Sequence, residues 1–555
     1  MSYLKSQAVA PGKTRDTRTF KVDKWTRLDR FLMLGTESAT YYASEGELTF
    51  TNVLSVEECL AEDYTRAINR IVDISEQGRA PKNEPALYAL AMAASVADGL
   101  ADNHIWHLTG TATRAYALAR LPKVARTGTH LLHFVSYAES LRGWGRGLKS
   151  AVARWFLDKS PEDLFYQVMK YRQRDGWSMR DLLRLSHPDV MDTFWDKTRT
   201  NQYNLVFEWV TKGWPDAPEI PVSAPTVVRR IGAFETLQKT KQVGLAAEII
   251  NQYNLPREAV PTELLTSPVV WQALIPNLGI TALIRNLPTL TRVGLLTDRN
   301  LAVGDIVERL TNQAELIKGR VHPLNLMVAA LTYGSGRSLR GSSTWTPNPE
   351  IVTALNNAFY LAFKAAVPTG KRILLALDVS GSMGSGAING VPGLTPRRAA
   401  AAMSLVTVNI EQNTEVVCFS GDGGYRFADS TAIKPFPIDS TMRLDQVVQM
   451  MDDVPFGSTN PALPVLYALE HNIRPEVFYI LTDSEANTGR VTASQALESY
   501  RQKTGIKAKM VVSAFTANDI SVADPNDPLC LDICGLDSAV PALISDFIKG
   551  DLFSG

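Results

Sequence analysis

Arg372-Ile373-Leu374-Leu375-Ala376-Leu377-Asp378-Val379-Ser380-Gly381-Ser382 is the stretch on which the reading of this chain turns. An apolar run that stops abruptly at Asp, Ser and Gly predicts a strand buried on both faces and ending in a loop. In that loop Asp378, Ser380 and Ser382 carry oxygen at alternate positions, so their side chains can converge on one point. A carboxylate with two hydroxyls suits a hard dication such as Mg²⁺, which takes octahedral oxygen ligation and keeps some of its water. Taken alone, Asp378 and Ser380 also fit the simpler role of capping the helix that follows.

Two later segments favour the metal reading. Gly457-Ser458-Thr459-Asn460-Pro461 opens an apolar helical stretch, and Val477-Phe-Tyr-Ile-Leu-Thr-Asp483 is a strand-like run ending in Asp. The set Asp378, Ser380, Ser382, Thr459 and Asp483 has the order of a metal-ion-dependent adhesion site. From residue 372 onward the chain resembles a von Willebrand factor A domain. Two carboxylates and three neutral hydroxyls leave a dication incompletely neutralised, and an open coordination position attracts an anionic oxygen from a partner. No His or further carboxylate adjoins the motif as an evident general base, which favours ligand binding over hydrolysis.

The surrounding pattern agrees. Strand-like runs at 372–378, 414–419, 476–482 and 508–515 alternate with helical stretches at 395–412, 461–472, 491–503 and 538–549. Such alternation predicts a doubly wound parallel sheet, with Asp378 and Asp483 at the carboxyl ends of strands, where these folds bind ligands. The segment 384–396 is long for a link between motif and helix, and it is expected to shield the ion or shape access to it.

At 555 residues the chain has room for two or more domains. Its composition, 45% hydrophobic and 21% charged, is that of a globular protein. No apolar run reaches membrane-spanning length and Met1-Ser-Tyr-Leu-Lys-Ser lacks a signal-peptide core, so a cytoplasmic protein without a membrane partner is expected. Cys59, Cys418, Cys530 and Cys534 are too scattered for a disulfide framework, and the pair Cys530/Cys534 reads as plain thiols more readily than as half a zinc site. Net charge is zero but unevenly spread: residues 1–350 carry 42 Lys+Arg against 36 Asp+Glu, and residues 351–555 carry 15 against 21. Within 101–180, 13 cationic side chains face 6 anionic ones, a possible footprint for a polyanion and otherwise an ordinary solvated face.

Residues 1–24 are polar and broken by Pro and Gly, the pattern of a loose arm. A helical domain is expected over 25–368 and the α/β domain over 369–555. Ser55-x-x-Glu58, Ser160-Pro161-x-Asp163 and Ser178-x-x-Asp181 read as helix starts. Helical stretches at 84–100, 126–141, 161–174 and 179–187 recur at roughly twenty-residue intervals, so that two make a unit of HEAT-repeat size. An irregular α-solenoid is the favoured arrangement.

One part of that solenoid stands out. A helix over 161–174 places Leu164, Val168 and Tyr171 on one side, with Lys170 and Arg174 together on the other, facing outward. Gly176 is expected to end that helix, Ser178 to cap the next, and His187 to close it ahead of Pro188. Two paired cations with a nearby imidazole can clamp phosphates and stack on a base. Upstream, Arg142-Gly-Trp144-Gly-Arg146-Gly-Leu-Lys149 alternates small residues with cations and a ring, which suits single-stranded RNA or, equally, solvated surface; Trp144 and Trp177 read as packing residues.

These residues carry a second resemblance. Tyr171-Arg-Gln-Arg-Asp-Gly-Trp-Ser, Asp181-Leu-Leu-Arg-Leu-Ser-His187-Pro, Asn254-Leu-Pro-Arg-Glu-Ala-Val-Pro-Thr262 and Ile284-Arg-Asn-Leu-Pro288, ahead of an A-type domain, resemble the Ro (TROVE) family of RNA-binding proteins. The resemblance spans about residues 25 to 550 and looks most like bacterial members. It implies an α-helical HEAT-like repeat ring plus an α/β doubly wound von Willebrand factor A-like domain. It further implies Y-type small RNA bound on the outer surface and the single-stranded 3′ end of misfolded or unprocessed RNA in a central hole. A 3′-to-5′ exonuclease is an implied partner and a non-enzymatic scaffold the implied role; a monomer is expected. Lys170, Arg174 and His187 match family positions implicated in RNA contact, with Arg142, Arg146 and Lys149 beside them. The competing reading is a metal-dependent protein–protein adhesion scaffold that does not touch RNA. A nuclease is weakly supported, since the acidic residues make no two-metal cluster.

Overall fold

In the computed structural model the described residues are 22–550, apart from 39, 43–52, 98–104, 191–196, 215–219, 222, 298–300, 340, 366, 389–390, 422–431, 455–457, 484–490, 517–521 and 537–539. Most of the expected N-terminal arm and Gly457 of the threonine segment lie outside them. The described strands are β1 (Thr40–Tyr42), β2 (Gln173–Arg174), β3 (Trp177–Ser178), β4 (Ile373–Asp378), β5 (Thr414–Phe419), β6 (Ile433–Pro435), β7 (Val477–Thr482), β8 (Lys509–Ala514) and β9 (Cys530–Cys534). The described residues of 1–49 and 310–555 form one compact unit, and those of 50–309 the other. No helix among the described residues is long and apolar enough to cross a membrane.

Among the described residues the first unit is built on a seven-stranded sheet in the order β1-β9-β8-β7-β4-β5-β6, parallel throughout except for β6. β4 and β7 are buried along their whole length, as strands covered on both faces must be. One face packs Leu374, Ala376, Phe478, Ile480 and Val512 against Ala496, Leu497 and Tyr500 of helix Ala493–Thr504. Helix Pro396–Ile410 covers β4 and β7 on the other face. Strand order runs outward from β4 in both directions, to β5 on one side and to β7, β8 and β9 on the other. The carboxyl end of β4 is therefore a topological switch point, where doubly wound sheets open a crevice. Asp378 closes β4 and Asp483 follows β7, so both acidic residues reach that crevice.

Three strands carry no alternation signal of their own. β6 and β9 are short, and β1 comes from the far N-terminal side, pairing parallel with β9 at Thr40↔Asp532. Helix Lys24–Leu34 leads into β1, and its fully buried Arg30 donates to the carbonyls of Pro525 (2.6 Å) and Asp527 (2.9 Å). At the other boundary, helix Pro323–Gly334 packs on Pro349–Leu361 and touches Pro396–Ile410, while the Tyr360 hydroxyl accepts from the Leu444 amide at 3.1 Å. Residues 24–42 and 310–365 thus sit with the sheet and not with the helices of 50–309, a division different from the expected break at 368. The reason is physical: an edge strand and a helical pair complete a core that 369–555 alone leaves open. The segment 384–396 folds on itself, with Ile388, Val391 and Leu394 buried and the Ile388 amide bonded to the Leu394 carbonyl at 2.9 Å.

The second unit is helical, with helices packed on others near in sequence: Leu54–Glu76 on Glu84–Ser95, Glu84–Ser95 on Gly128–Arg142, Arg146–Leu157 on Met179–Ser186, and Val243–Tyr253 on Pro268–Leu274. Local signals explain the starts. Ser160 accepts from the Asp163 amide, and Ser178 with Asp181 forms a complete capping box. Ser55 does not cap; it lies buried inside Leu54–Glu76, whose first turn begins after Val53.

Candidate functional site

Asp378 is fully buried, and two neutral donors fix its carboxylate: Oδ1 accepts the Ser380 amide at 2.8 Å and Oδ2 the Thr482 hydroxyl at 2.6 Å. The hydroxyls of Ser380 and Ser382 lie 3.2 Å apart. Arg397, in the first turn of Pro396–Ile410, donates to the Ser380 carbonyl at 3.2 Å and pairs with Asp452. Gly384 gives that guanidinium room, since a Cβ there would fall 3.1 Å from Nη1. Thr459 is buried on the neighbouring loop. Gly421, just past β5, lets that loop approach, because a Cβ would lie 2.6 Å from the Ser458 carbonyl carbon. Asp483 is buried, and the Thr516 hydroxyl donates to its carbonyl.

Burial pushes the Asp378 carboxyl up to about 6, with the Thr482 and Ser380 hydrogen bonds opposing and the Asp483 charge adding to the rise. The crevice therefore holds two carboxylates near enough to repel, framed by hydroxyls, and a cation there would relieve that cost. Asp378, Ser380, Ser382, Thr459 and Asp483 offer only oxygen atoms, a chemistry that would fit a hard dication and not a soft or imidazole-loving metal.

In the helical unit the expected geometry needs one correction. Helix Pro161–Lys170 stops at Lys170, and Arg174 is not on its next turn. Asp175 and Gly176, with φ of 51° and 79°, make the two-residue turn of the hairpin β2–β3, in which Arg174 pairs with Trp177. Gly176 serves that turn and does not end the helix. Asp175 also pairs with the buried His133 of helix Gly128–Arg142, which pins the turn. The two cations nevertheless meet: Lys170 and Arg174 line one open cleft of ≈ 470 Å³, together with Arg172, Gln173, Gln238 and Glu258. Lys170 Nζ bonds the Tyr166 hydroxyl at 3.0 Å and lies 5.2 Å and 5.5 Å from the ring centres of Tyr166 and Tyr171. Burial alone would lower its pKa, but the Tyr166 hydrogen bond and the Glu258 charge outweigh it and leave the ammonium raised. Arg174 is exposed, and its side chain makes no hydrogen bond or ion pair among the described residues.

His187 lies outside that cleft lining. It is the exposed, left-handed cap (φ 45°) of helix Met179–Ser186, directly before Pro188. Arg142 is occupied, donating to the Val96 carbonyl at 2.9 Å and so tying down the end of Glu84–Ser95. Arg146 and Lys149 are exposed in the first turns of Arg146–Leu157, a helix start with no acidic residue. Trp144 and Trp177 pack on each other at 5.5 Å. Sequence reasoning passed over Arg172, Glu258 and the exposed Arg180 and Arg184, although Arg180, Arg184 and His187 share a helical face by spacing. The Asp-Gly dipeptide, a strong hairpin signal, was available for β2–β3.

Comparison with known proteins adds an independent line. The TROVE domain profile matches residues 13–217 and 252–333, and the Ro60 vWA domain profile matches 372–548. A Deinococcus radiodurans relative named RNA-binding protein RO60 is 37% identical over 96% of this chain and 94% of its own. A Caenorhabditis elegans protein of the same name is 34% identical over 96% of this chain and 89% of its own. The crystal structure of the Deinococcus radiodurans RO (RSR) protein superposes with a TM-score of 0.83 at 36% identity, covering 95% of this chain and 100% of that one.

Proposed function

This chain belongs to the Ro family of TROVE-domain proteins, and on that premise we propose that it is an RNA-binding scaffold for noncoding RNA quality control. The observation that carries the reading is the cleft that gathers Lys170 and Arg174, the first hydrogen-bonded to Tyr166 and near two tyrosine rings, the second with its side chain unpaired among the described residues. Two cations lining one cleft suit successive phosphates, and their exposure lets a folded RNA reach them. The basic face of Arg146, Lys149, Arg180, Arg184 and His187 on two helices packed together extends the footprint. The names of the relatives support RNA as the ligand.

In the finer form of the proposal, Y-type small RNA lies on this outer surface. The single-stranded 3′ end of a misfolded or unprocessed RNA passes through the opening of a helical ring, handing the RNA to a 3′-to-5′ exonuclease. Mg²⁺ held by Asp378, Ser380, Ser382, Thr459 and Asp483 would supply a Lewis-acidic position for a partner's carboxylate. Arg397 would hold the Ser380 loop in register. The protein acts in the cytoplasm as a monomer.

The test is a binding titration with one structured RNA made with and without a single-stranded 3′ tail, repeated in EDTA. The account expects tighter binding of the tailed RNA, and RNA affinity little changed by chelation. Equal affinity for both RNAs removes the threading step. Loss of all RNA binding on chelation favours the metal domain as the RNA site and removes the helical cleft from the mechanism.

A further inference from the structure

Phosphate binding leaves one part of the cleft unexplained: the carboxylate of Glu258. It sits in the short turn Arg257–Ala259, which packs against helix Pro161–Lys170, and it shares the cleft lining with Lys170 and Arg174. Glu258 is exposed; its charge acts on Lys170 through space, but its side chain makes no hydrogen bond or ion pair with Lys170 or Arg174 among the described residues. Gln238 donates to the Ala259 carbonyl at 2.7 Å and fixes the turn that carries it. A negative charge facing a phosphodiester is repulsive, so a site for phosphate alone would be better without Glu258. A carboxylate becomes favourable there once a ligand presents N–H groups to it.

The dimensions point to one nucleotide. The cleft, at ≈ 470 Å³, is of small-ligand size, about 300–1,000 Å³ being usual, and has room for one nucleotide. Base chemistry then discriminates. Guanine offers adjacent N1–H and N2–H donors, which match the two oxygens of one carboxylate, and its O6 and N7 acceptors suit Arg172 or Gln173. Uracil sets its single N3–H between two carbonyls that would face the same carboxylate. Adenine and cytosine each pair one amino group with a ring acceptor. Tyr171, half-buried in the lining, offers a ring face for stacking.

We propose that this cleft selects an unpaired guanine nucleotide, its phosphate on Lys170 and Arg174 and its N1–H/N2–H edge on Glu258. The inference rests on the RNA-binding reading, deepening it from charge attraction to base choice.

The test uses the full-length chain and a short labelled oligouridylate carrying one central G, inosine, A, C or U, titrated by fluorescence anisotropy. Wild type is expected to bind the G oligomer about tenfold tighter than the all-U one, with inosine, which lacks the N2 amino group, in between. In Glu258→Gln the spread should collapse to within about twofold while all-U affinity holds or rises, because a repulsive charge has gone. Lys170→Ala/Arg174→Ala should weaken every oligomer alike. A wild type that binds all five equally, or a Glu258→Gln variant that keeps its preference, overturns the guanine assignment and leaves RNA binding standing. Absence of binding to any oligomer and to structured RNA overturns both.

Discussion

Replacing Lys170 and Arg174 together by Ala removes two phosphate contacts without touching the core, since Lys170 lies half-buried and Arg174 exposed. A hydrogen bond to a charged group is worth about 1.5–3 kcal/mol. Lys170 belongs at the upper end, because its hydrogen bond to Tyr166 already orders it and binding costs little side-chain entropy. Arg174, unpaired and exposed, must be immobilised and belongs at the lower end. Together the loss is on the order of 4.5 kcal/mol, or roughly 2,000-fold in affinity at low salt. Counterion release makes a second, independent prediction. Each duplex phosphate contact contributes about 0.9 to the slope of log affinity against log salt, so the double variant should be shallower by about 1.8, or about 1.4 on single strands. Anisotropy titrations of one labelled structured RNA over a salt series give both quantities at once. Affinity within about twofold of wild type at low salt, with the slope unchanged, would refute the placement of phosphates in this cleft.

Other consequences reach beyond that cleft. Gly421→Ala drives a Cβ to 2.6 Å from the Ser458 carbonyl carbon, so the Thr459 loop must retreat; the expected cost is about 1–3 kcal/mol in urea unfolding, with weaker Mg²⁺ binding by calorimetry. Arg30→Leu leaves the carbonyls of Pro525 and Asp527 without their charged donor in a fully buried place; a loss of about 3–5 kcal/mol is expected, and a change under about 1 kcal/mol would mean that helix Lys24–Leu34 is not integral to the sheet unit. Burial lowers His130 to about 4, with Arg126 and His133 pushing the same way and Glu84 opposing. A folded pKa below the unfolded one stabilises above about 6.5 and loses that stability as pH falls toward 4, so the helical unit should lose about 1.5 kcal/mol between pH about 6.5 and 5. His130→Gln should flatten that part of the profile, and an unaltered profile would assign it to other groups.

Much of this was legible in the chain. β4 ends in Asp378 and β7 is followed at once by Asp483 because a doubly covered strand must be apolar along its whole length, so its end is abrupt in sequence as in space. Alternation of strands and helices around them gave the sheet class, and the helical character of 50–309 followed from apolar spacing and real caps at Ser160 and Ser178. What escaped reading has local causes. β1 is three residues long and far from its partner β9 in sequence, and pairing across such a separation leaves no periodic trace. The stretch 161–174 has a continuous helical pattern through Tyr171, yet the Asp175-Gly176 turn overrides it by closing a hairpin. Glu258 went unnoticed because its meaning depends on Lys170, nearly ninety residues earlier, sharing its cleft.

Cross-linking tests the central claim most directly: irradiate the full-length protein bound to a structured, 3′-tailed RNA carrying 4-thiouridine, then map the attached peptides by mass spectrometry. Attachment concentrated in the peptides spanning 142–149, 166–187 and 254–262 is the predicted result. Attachment confined to 369–555, with those helical peptides free of RNA, would contradict it.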